Sequence, residues 1–214
     1  MREGDLNKFD GLIAEFDKGL RTLFESASEP RRKSPANKVE NQNLDPDQTR
    51  LSLGLMRVNH SGEICAQALY HGQAFTAKNQ EVVDKMKHAA DEEMDHLAWC
   101  EERIFELNGE ASLLNPLWYA LSFGLGAGTG LIGDQVSLSF VAATEKQVCE
   151  HLKEHLTRLP VEDKKSRAII EQMIIDEDEH AEAALEAGGK EFSKVTSTAM
   201  WALSKVMKEA SFRV

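Results

Sequence analysis

Four glutamates in this sequence stand where a folded chain can least tolerate them. Glu177 shares a helical face with Ile170, Met173 and Ile174 before it and with Ala181, Ala184 and Leu185 after it. Glu93 sits likewise among Met86, Ala89, Ala90, Leu97, Cys100 and Ile104. Glu145 is the centre of Leu138, Val141, Ala142, Val148, Cys149 and Leu152. Glu63 shares a face with Met56, Ala66 and Tyr70, although Asn59 makes that stripe more polar. The apolar stripe of a helix faces a core, and an unpaired carboxylate there costs on the order of several kcal/mol even after relaxation. Such groups must be neutralised, paired or bound to metal.

Two of the four carry a histidine three residues on, Glu93-Met-Asp-His96 and Glu177-Asp-Glu-His180. On a helix that spacing puts both side chains on one side. Alone the pattern is weak, because 36 of the 214 residues are Asp or Glu. Spacing strengthens it. Glu63 precedes Glu93 by 30 residues and Glu145 precedes Glu177 by 32. In an antiparallel helical hairpin, residues at equal height are equidistant from the turn. One midpoint falls near Asn79, in the polar run Lys78-Asn79-Gln80, and the other near Pro160 to Asp163. The chain therefore reads as two hairpins of one design: Glu, turn, Glu-x-x-His. Packed together they give Glu63, Glu93, His96, Glu145, Glu177 and His180 in one bundle core, the ligand set of ferritin-like di-iron or di-manganese proteins. Two divalent cations balance four carboxylates, and oxygen-rich ligation favours iron or manganese over thiolate-seeking metals. His60, His71, His88 and His155 are read as surface or capping residues, and His151 as a candidate partner to a ligand.

Helical periodicity dominates from Asp45 onward, and no stretch sustains the period-two alternation of a strand. Asp45-Pro46 offers a cap and a first-turn proline; Asn108-Gly109 and Gly188-Gly189 are stops. Helices are expected near 47–78, 80–107, 134–158, 163–187 and 190–210, so the fold class is all-α. Ahead of them, Leu6, Phe9, Ile13, Phe16, Leu20 and Phe24 predict an amphipathic helix over 6–24, and the Ser-, Pro- and Asn-rich stretch 26–50 reads as a linker. The expected organisation is thus an arm, 1–46, and a metal-binding domain, 47–214.

Residues 111–133 hold 23 positions without a charge. The length permits a membrane span, but Pro116 and five glycines argue against a continuous helix. Trp118 and Tyr119 suit a headgroup interface. Three readings stand: insertion into a membrane surface, a buried core segment, or a span. The tail favours the first. Phe192, Val195, Ala199, Ala202, Leu203 and Val206 form an apolar stripe among five basic and two acidic residues, in a chain of net charge -11. That net charge disfavours nucleic acid as a partner. Gly128-Thr-Gly130-Leu-Ile-Gly133 matches a dinucleotide fingerprint by letter, yet no strand precedes it. Cys65, Cys100 and Cys149 form no CxxC pair, which favours a reducing compartment, and the first residues lack the apolar core of a signal peptide.

From about residue 47 to the end, the sequence resembles the di-iron demethoxyubiquinol hydroxylases of ubiquinone biosynthesis. The likeness runs through Arg57-Val-Asn-His-Ser-Gly-Glu63, Tyr70-His-Gly72-Gln73, Glu93-Met-Asp-His96, Pro116-Leu-Trp118, Glu145 and Glu177-Asp-Glu-His180. The resemblance implies the same six iron ligands found above and two iron ions per chain, with no catalytic residue beyond them. It also implies a monooxygenase that uses O2 to hydroxylate a polyprenyl benzoquinol, giving 3-demethylubiquinol, with NADH as the ultimate electron source. Peripheral association with the cytoplasmic face of the cell membrane follows from the lipid tail of that substrate. Further copies of the chain, or an accessory protein of ubiquinone biosynthesis, are its candidate protein partners. The resemblance supplies no role for the arm. Two rival readings are an iron-storage or ferroxidase bundle and a non-catalytic membrane-associated scaffold.

Overall fold

A computed structural model describes residues 3–24, 30–40 and 43–214, all in helices and their connections. Helix α1 spans Glu3–Phe24, a 3-10 turn spans Pro35–Lys38, and α2 follows over Pro46–Thr76. Then come α3 (Gln80–Glu106), α4 (Asn115–Ile132), α5 (Asp134–Arg158), α6 (Lys164–Glu186) and α7 (Lys194–Arg213). Helices α2 and α3 pair across the short turn at 77–79, and α5 and α6 across 159–163. The pairs meet through α3 on α6 and α2 on α5, which is the expected arrangement of two hairpins in one bundle.

Local chemistry sets the boundaries. Asp45 accepts from the backbone of Asp47 and Gln48 while Gln48 reaches back to the Asp45 N–H, a complete capping box ahead of Pro46. Asn79 and Asp163 cap α3 and α6 with their own side chains. At the other ends Asn108 (φ 57°) and Gly188 (φ 113°) take the left-handed conformation that stops a helix. The core between the hairpins is apolar at one end, where Leu55, Met56, Trp99, Leu152, Ile170 and Met173 are buried together.

The uncharged segment departs from expectation, because α4 is one continuous helix. Pro116 lies in its first turn, where a missing N–H costs nothing, and the glycines serve a face rather than a bend. A Cβ on Gly126 would collide with the backbone carbonyl of Leu69, and one on Gly72 with that of Phe123. The α2 and α4 backbones thus approach more closely than side chains allow. The fingerprint-like Gly130 likewise packs against Thr76 and Gln73. Tyr119 turns inward, its hydroxyl 2.9 Å from His71 Nδ1, and Trp118 donates to Ser211 on α7. These two aromatics are therefore bound to protein partners rather than free for an interface. The opposite face of α4 exposes Leu117, Leu121, Leu125, Leu131 and Ile132, and α7 exposes Trp201, Leu203 and Val206. No helix among the described residues is long and apolar enough to cross a membrane.

Gly126→Ala is expected to destabilise by about 1–3 kcal/mol, since the Leu69 backbone has to move. Gly128→Ala meets nothing within 4 Å and should be neutral or stabilising by up to about 1 kcal/mol through helix propensity. Urea unfolding of the two variants separates them; equal effects would refute the close-approach account.

The stretch read as a linker is docked where it is described. Ser34 and Ala36 are buried, and the 3-10 turn packs on α6. Residues 26–29 and 41–42 of that stretch lie outside the described residues, as do the side chains of Leu6, Phe9, Phe16 and Val195 in the two expected stripes.

Candidate metal centre

Because each glutamate occupies a core-facing position of its helix, folding brings them together. Glu63, Glu93, His96 and Glu177, one each from α2 and α6 and two from α3, place ligand atoms within 4.8 Å of one another. His96 Nδ1 lies 2.9 Å from Glu93 Oε2 and 3.2 Å from Glu177 Oε1. His180 faces the same cluster, its Nδ1 3.0 Å from Glu93 Oε1 and 3.4 Å from Glu177 Oε2. Glu145 on α5 completes the set: its Oε1 accepts from the Tyr70 hydroxyl at 2.5 Å, and it feels the charges of Glu177, Glu93 and His180. All six positions read from the sequence thus converge on one core.

A polar cluster this deep has to resolve its own repulsion. Burial, and then the charges of Glu93 and Glu177, push the Glu63 carboxyl well above its ordinary range. Burial does the same to Glu145, followed by the charges of Glu177 and Glu93. Burial would also raise Glu93, but the adjacent His96 and His180 outweigh it and hold that carboxyl below its ordinary range. Burial opposes the imidazolium form of His180, yet its contacts with Glu177 and Glu93 push it up to about 12. His96 moves upward in the same way, its burial outweighed by Glu93 first. Protons therefore do the neutralising when nothing else does. Two oxygens of the cluster remain buried without an aligned hydrogen bond: Glu145 Oε2, and Glu93 Oε1, which His180 Nδ1 approaches to 3.0 Å. Orphaned carboxylate oxygens beside two inward ring nitrogens are what a pair of divalent cations would satisfy, and the donor set fits such ions.

The outer nitrogens are braced in a crossed pattern. Asp176, just before Glu177, accepts from His96 Nε2 at 2.8 Å; Glu92, just before Glu93, lies 3.0 Å from His180 Nε2. Each hairpin thus orients the histidine of the other. The sequence names neither Asp176 nor Glu92, and it offers Tyr70 as part of a face and of a family motif rather than as a partner of Glu145. The available signal was the acid directly preceding each Glu-x-x-His.

The remaining histidines differ from the surface reading. His60 and His155 are buried, His71 is half-buried, and only His88 is well exposed. His155 Nδ1 lies 2.7 Å from Asn59 Oδ1, which accounts for a polar residue on the α2 stripe. His151 is buried edge-on against His155 rather than against one of the six.

A cavity of about 460 Å³ opens between α3, α5 and α6 and ends on Tyr70 and His180. Met86, Ala89, Leu138 and Val141 give it an apolar wall. A larger one, about 580 Å³ and edged by Lys18, Arg21 and Lys87 under α1, touches none of the six residues. The smaller is therefore the better approach to the cluster.

Known proteins bear directly on this site. The family model described as ubiquinone biosynthesis protein COQ7 matches residues 50–211. A 3-demethoxyubiquinol 3-hydroxylase of Pseudomonas putida is 55% identical over 212 residues, covering 99% of each chain. One from Azotobacter vinelandii is 56% identical over 205 residues, covering 96% of this chain and 95% of its own. Among solved structures, a dodecameric thioferritin, the bacterioferritin-related protein of Bacteroides fragilis, superposes with a TM-score of 0.55 at 18% identity. It covers 73% of this chain and 90% of its own, and the all-helical fold is accordingly ferritin-like. With the match spanning both hairpins and all six converging residues, the chain belongs to the COQ7 family of ubiquinone biosynthesis proteins.

Proposed function

We propose that this enzyme is a 3-demethoxyubiquinol 3-hydroxylase that works as a di-iron monooxygenase, with Glu63, Glu93, His96, Glu145, Glu177 and His180 holding two iron ions. One observation carries the reading: a buried Glu/His cluster with orphaned oxygens, in a chain that matches named hydroxylases over nearly its full length. When bound, the two irons supply O2 activation and electron transfer. One oxygen atom enters the quinol ring to give 3-demethylubiquinol, and the other leaves as water with two electrons and two protons, NADH being the ultimate electron source.

The protein's own residues do the rest. Tyr70 holds Glu145 in place, and Asp176 and Glu92 fix the two imidazoles. Met86, Leu138 and Val141 keep the approach dry, so a quinol ring enters without a shell of water. A polyprenyl tail needs an apolar route, and the leucine face of α4 with the basic, apolar-sided α7 suits peripheral contact with the cytoplasmic side of a membrane. The same faces suit a second copy of the chain or an accessory protein of the pathway.

Anaerobic Fe(II) loading followed by desalting tests the site. About two irons per chain are expected for the wild type and at most about half of that for Glu177→Ala. Loaded wild type given demethoxyubiquinol, reductant and O2 should then yield a product heavier by one oxygen atom. Iron bound without that product, with O2 consumed in proportion to iron alone, would favour iron storage instead.

A further inference from the structure

Ahead of α2, the polar arm crosses the bundle at one particular place. Arg32 sets its guanidinium between carboxylates from two different hairpins. Its Nε donates to Asp95 Oδ2 at 2.9 Å, and its Nη2 lies 2.9 Å from Asp176 Oδ2. That same Asp176 oxygen accepts from His96 Nε2, while its other oxygen accepts from Gln172 at 2.9 Å. Arg32 Nη2 also lies 3.5 Å from His96 Nε2.

The arm's backbone is tied down at the same spot. The Arg31 N–H donates to Asp95 Oδ1 at 2.7 Å, and the Arg32 carbonyl accepts from Trp99 Nε1 at 3.1 Å. The guanidinium lies 5.0 Å from the Trp99 ring centre, and Trp99 in turn tilts against the His96 ring at 5.4 Å. Two buried aspartates this close to each other would repel. A planar guanidinium is the group that can bridge both with fixed geometry, whereas an ammonium binds as a point charge.

We infer that Arg32 is a positioning residue for the metal centre: through Asp176 it fixes the His96 imidazole so that Nδ1 stays aimed at Glu63, Glu93 and Glu177. The inference rests on the metal reading above. It gives the arm, which lies outside the residues matched by the family model, a part in the centre. Asp176 without Arg32 keeps its bonds to His96 and Gln172 but loses the contact that anchors it against Asp95, and the ring is held less rigidly with it.

The test uses full-length protein loaded anaerobically with Co(II), whose visible ligand-field spectrum reports ligand geometry. Release into excess chelator is timed for wild type, Arg32→Gln, Asp176→Asn, the double variant, Arg32→Lys and Arg31→Gln. Arg32→Gln should release cobalt about 10–100-fold faster, the usual loss for a group that orients a ligand, and with a shifted spectrum. The double variant should be no worse than Asp176→Asn, because the two act in series. Arg31→Gln, whose side chain pairs with Asp91 at the surface, should stay within about twofold of wild type by the ordinary weakness of such pairs. Wild-type release and spectrum in Arg32→Gln would overturn the inference, as would a double variant whose loss is the product of the single ones. If Arg32→Gln does not fold, Arg32→Lys decides: faster release supports the bridge, and wild-type behaviour overturns it. Wild type that binds no Co(II) would instead overturn the metal reading, so the two failures are distinct.

Discussion

Stripped of metal, this protein will lose stability as the pH rises above about 6.5, while the metal-loaded form will hold nearly constant. The sign follows from which state binds protons. In the metal-free fold, His96 and His180 keep protons that the unfolded chain releases near 6.5. Their contribution is therefore complete below 6.5 and is lost as the pH climbs toward their folded values. Glu63 and Glu145, also raised, act in the same direction from the ordinary carboxylate range upward. Each proton is worth about 1.4 kcal/mol per pH unit, so the two imidazoles alone set a decline of up to about 3 kcal/mol per unit. Bound cations take the place of these protons, and the slope disappears with them. Urea unfolding between about pH 6.5 and 8.5, with chelator and with Fe(II) under anaerobic conditions, measures it. A flat metal-free profile would sink the account. Below 6.5, His60, His151 and His155 contribute with the opposite sign. Burial holds them neutral, at about 4, 3 and 2, so their share is present above 6.5 and is lost as the pH falls.

A second large effect is expected far from the cluster, where the end of α3 meets the start of α6. Arg103 is buried and donates to Ser166 Oγ at 2.9 Å, to Glu106 at 2.7 Å and to Asp163 at 2.7 Å. The Asp163 side chain is fully buried, and it also caps α6 by accepting from the Ser166 N–H. Arg103→Met keeps the stem's packing but leaves that carboxylate without its cation, which should cost about 3–5 kcal/mol. Adding Asp163→Asn removes the stranded charge and should recover much of the loss, a coupling that a double-mutant cycle reads directly. A single variant that costs less than about 1 kcal/mol would show that the pair contributes no more than a surface bridge.

The six residues were legible because a carboxylate on an apolar stripe breaks helical patterning, and four such breaks at matched distances from two turns, two with a histidine three residues on, define a geometry. Helix ends were legible for a similar reason, since Asp45-Pro46 and Asn108-Gly109 act through their own neighbours. Interactions between distant segments were not. Arg32 stands 63 residues from Asp95 in a stretch with no periodicity, so nothing local points to their bond. The continuity of α4 was not legible either: the cost of glycine to a lone helix is local, whereas the close packing of Gly126 on Leu69 that offsets it is tertiary. His60 and His155 were misplaced because one polar residue on a stripe reads as surface until its partner is known. Asn59 and His155 bury each other.

The crossed bracing of the two histidines also bears on the order in which the chain can acquire its ions during synthesis. His96 precedes Asp176, the carboxylate that sets its tautomer, by 80 residues, so it is made well before its brace. His180 arrives last and finds Glu92 waiting. Neither hairpin alone brings together both histidines and both of their braces, so the cluster is complete only after the hairpins have docked. If the cluster holds metal as proposed, a half-made chain would make a poor trap for whichever divalent ion it met first, and discrimination between ions would fall to the completed cage.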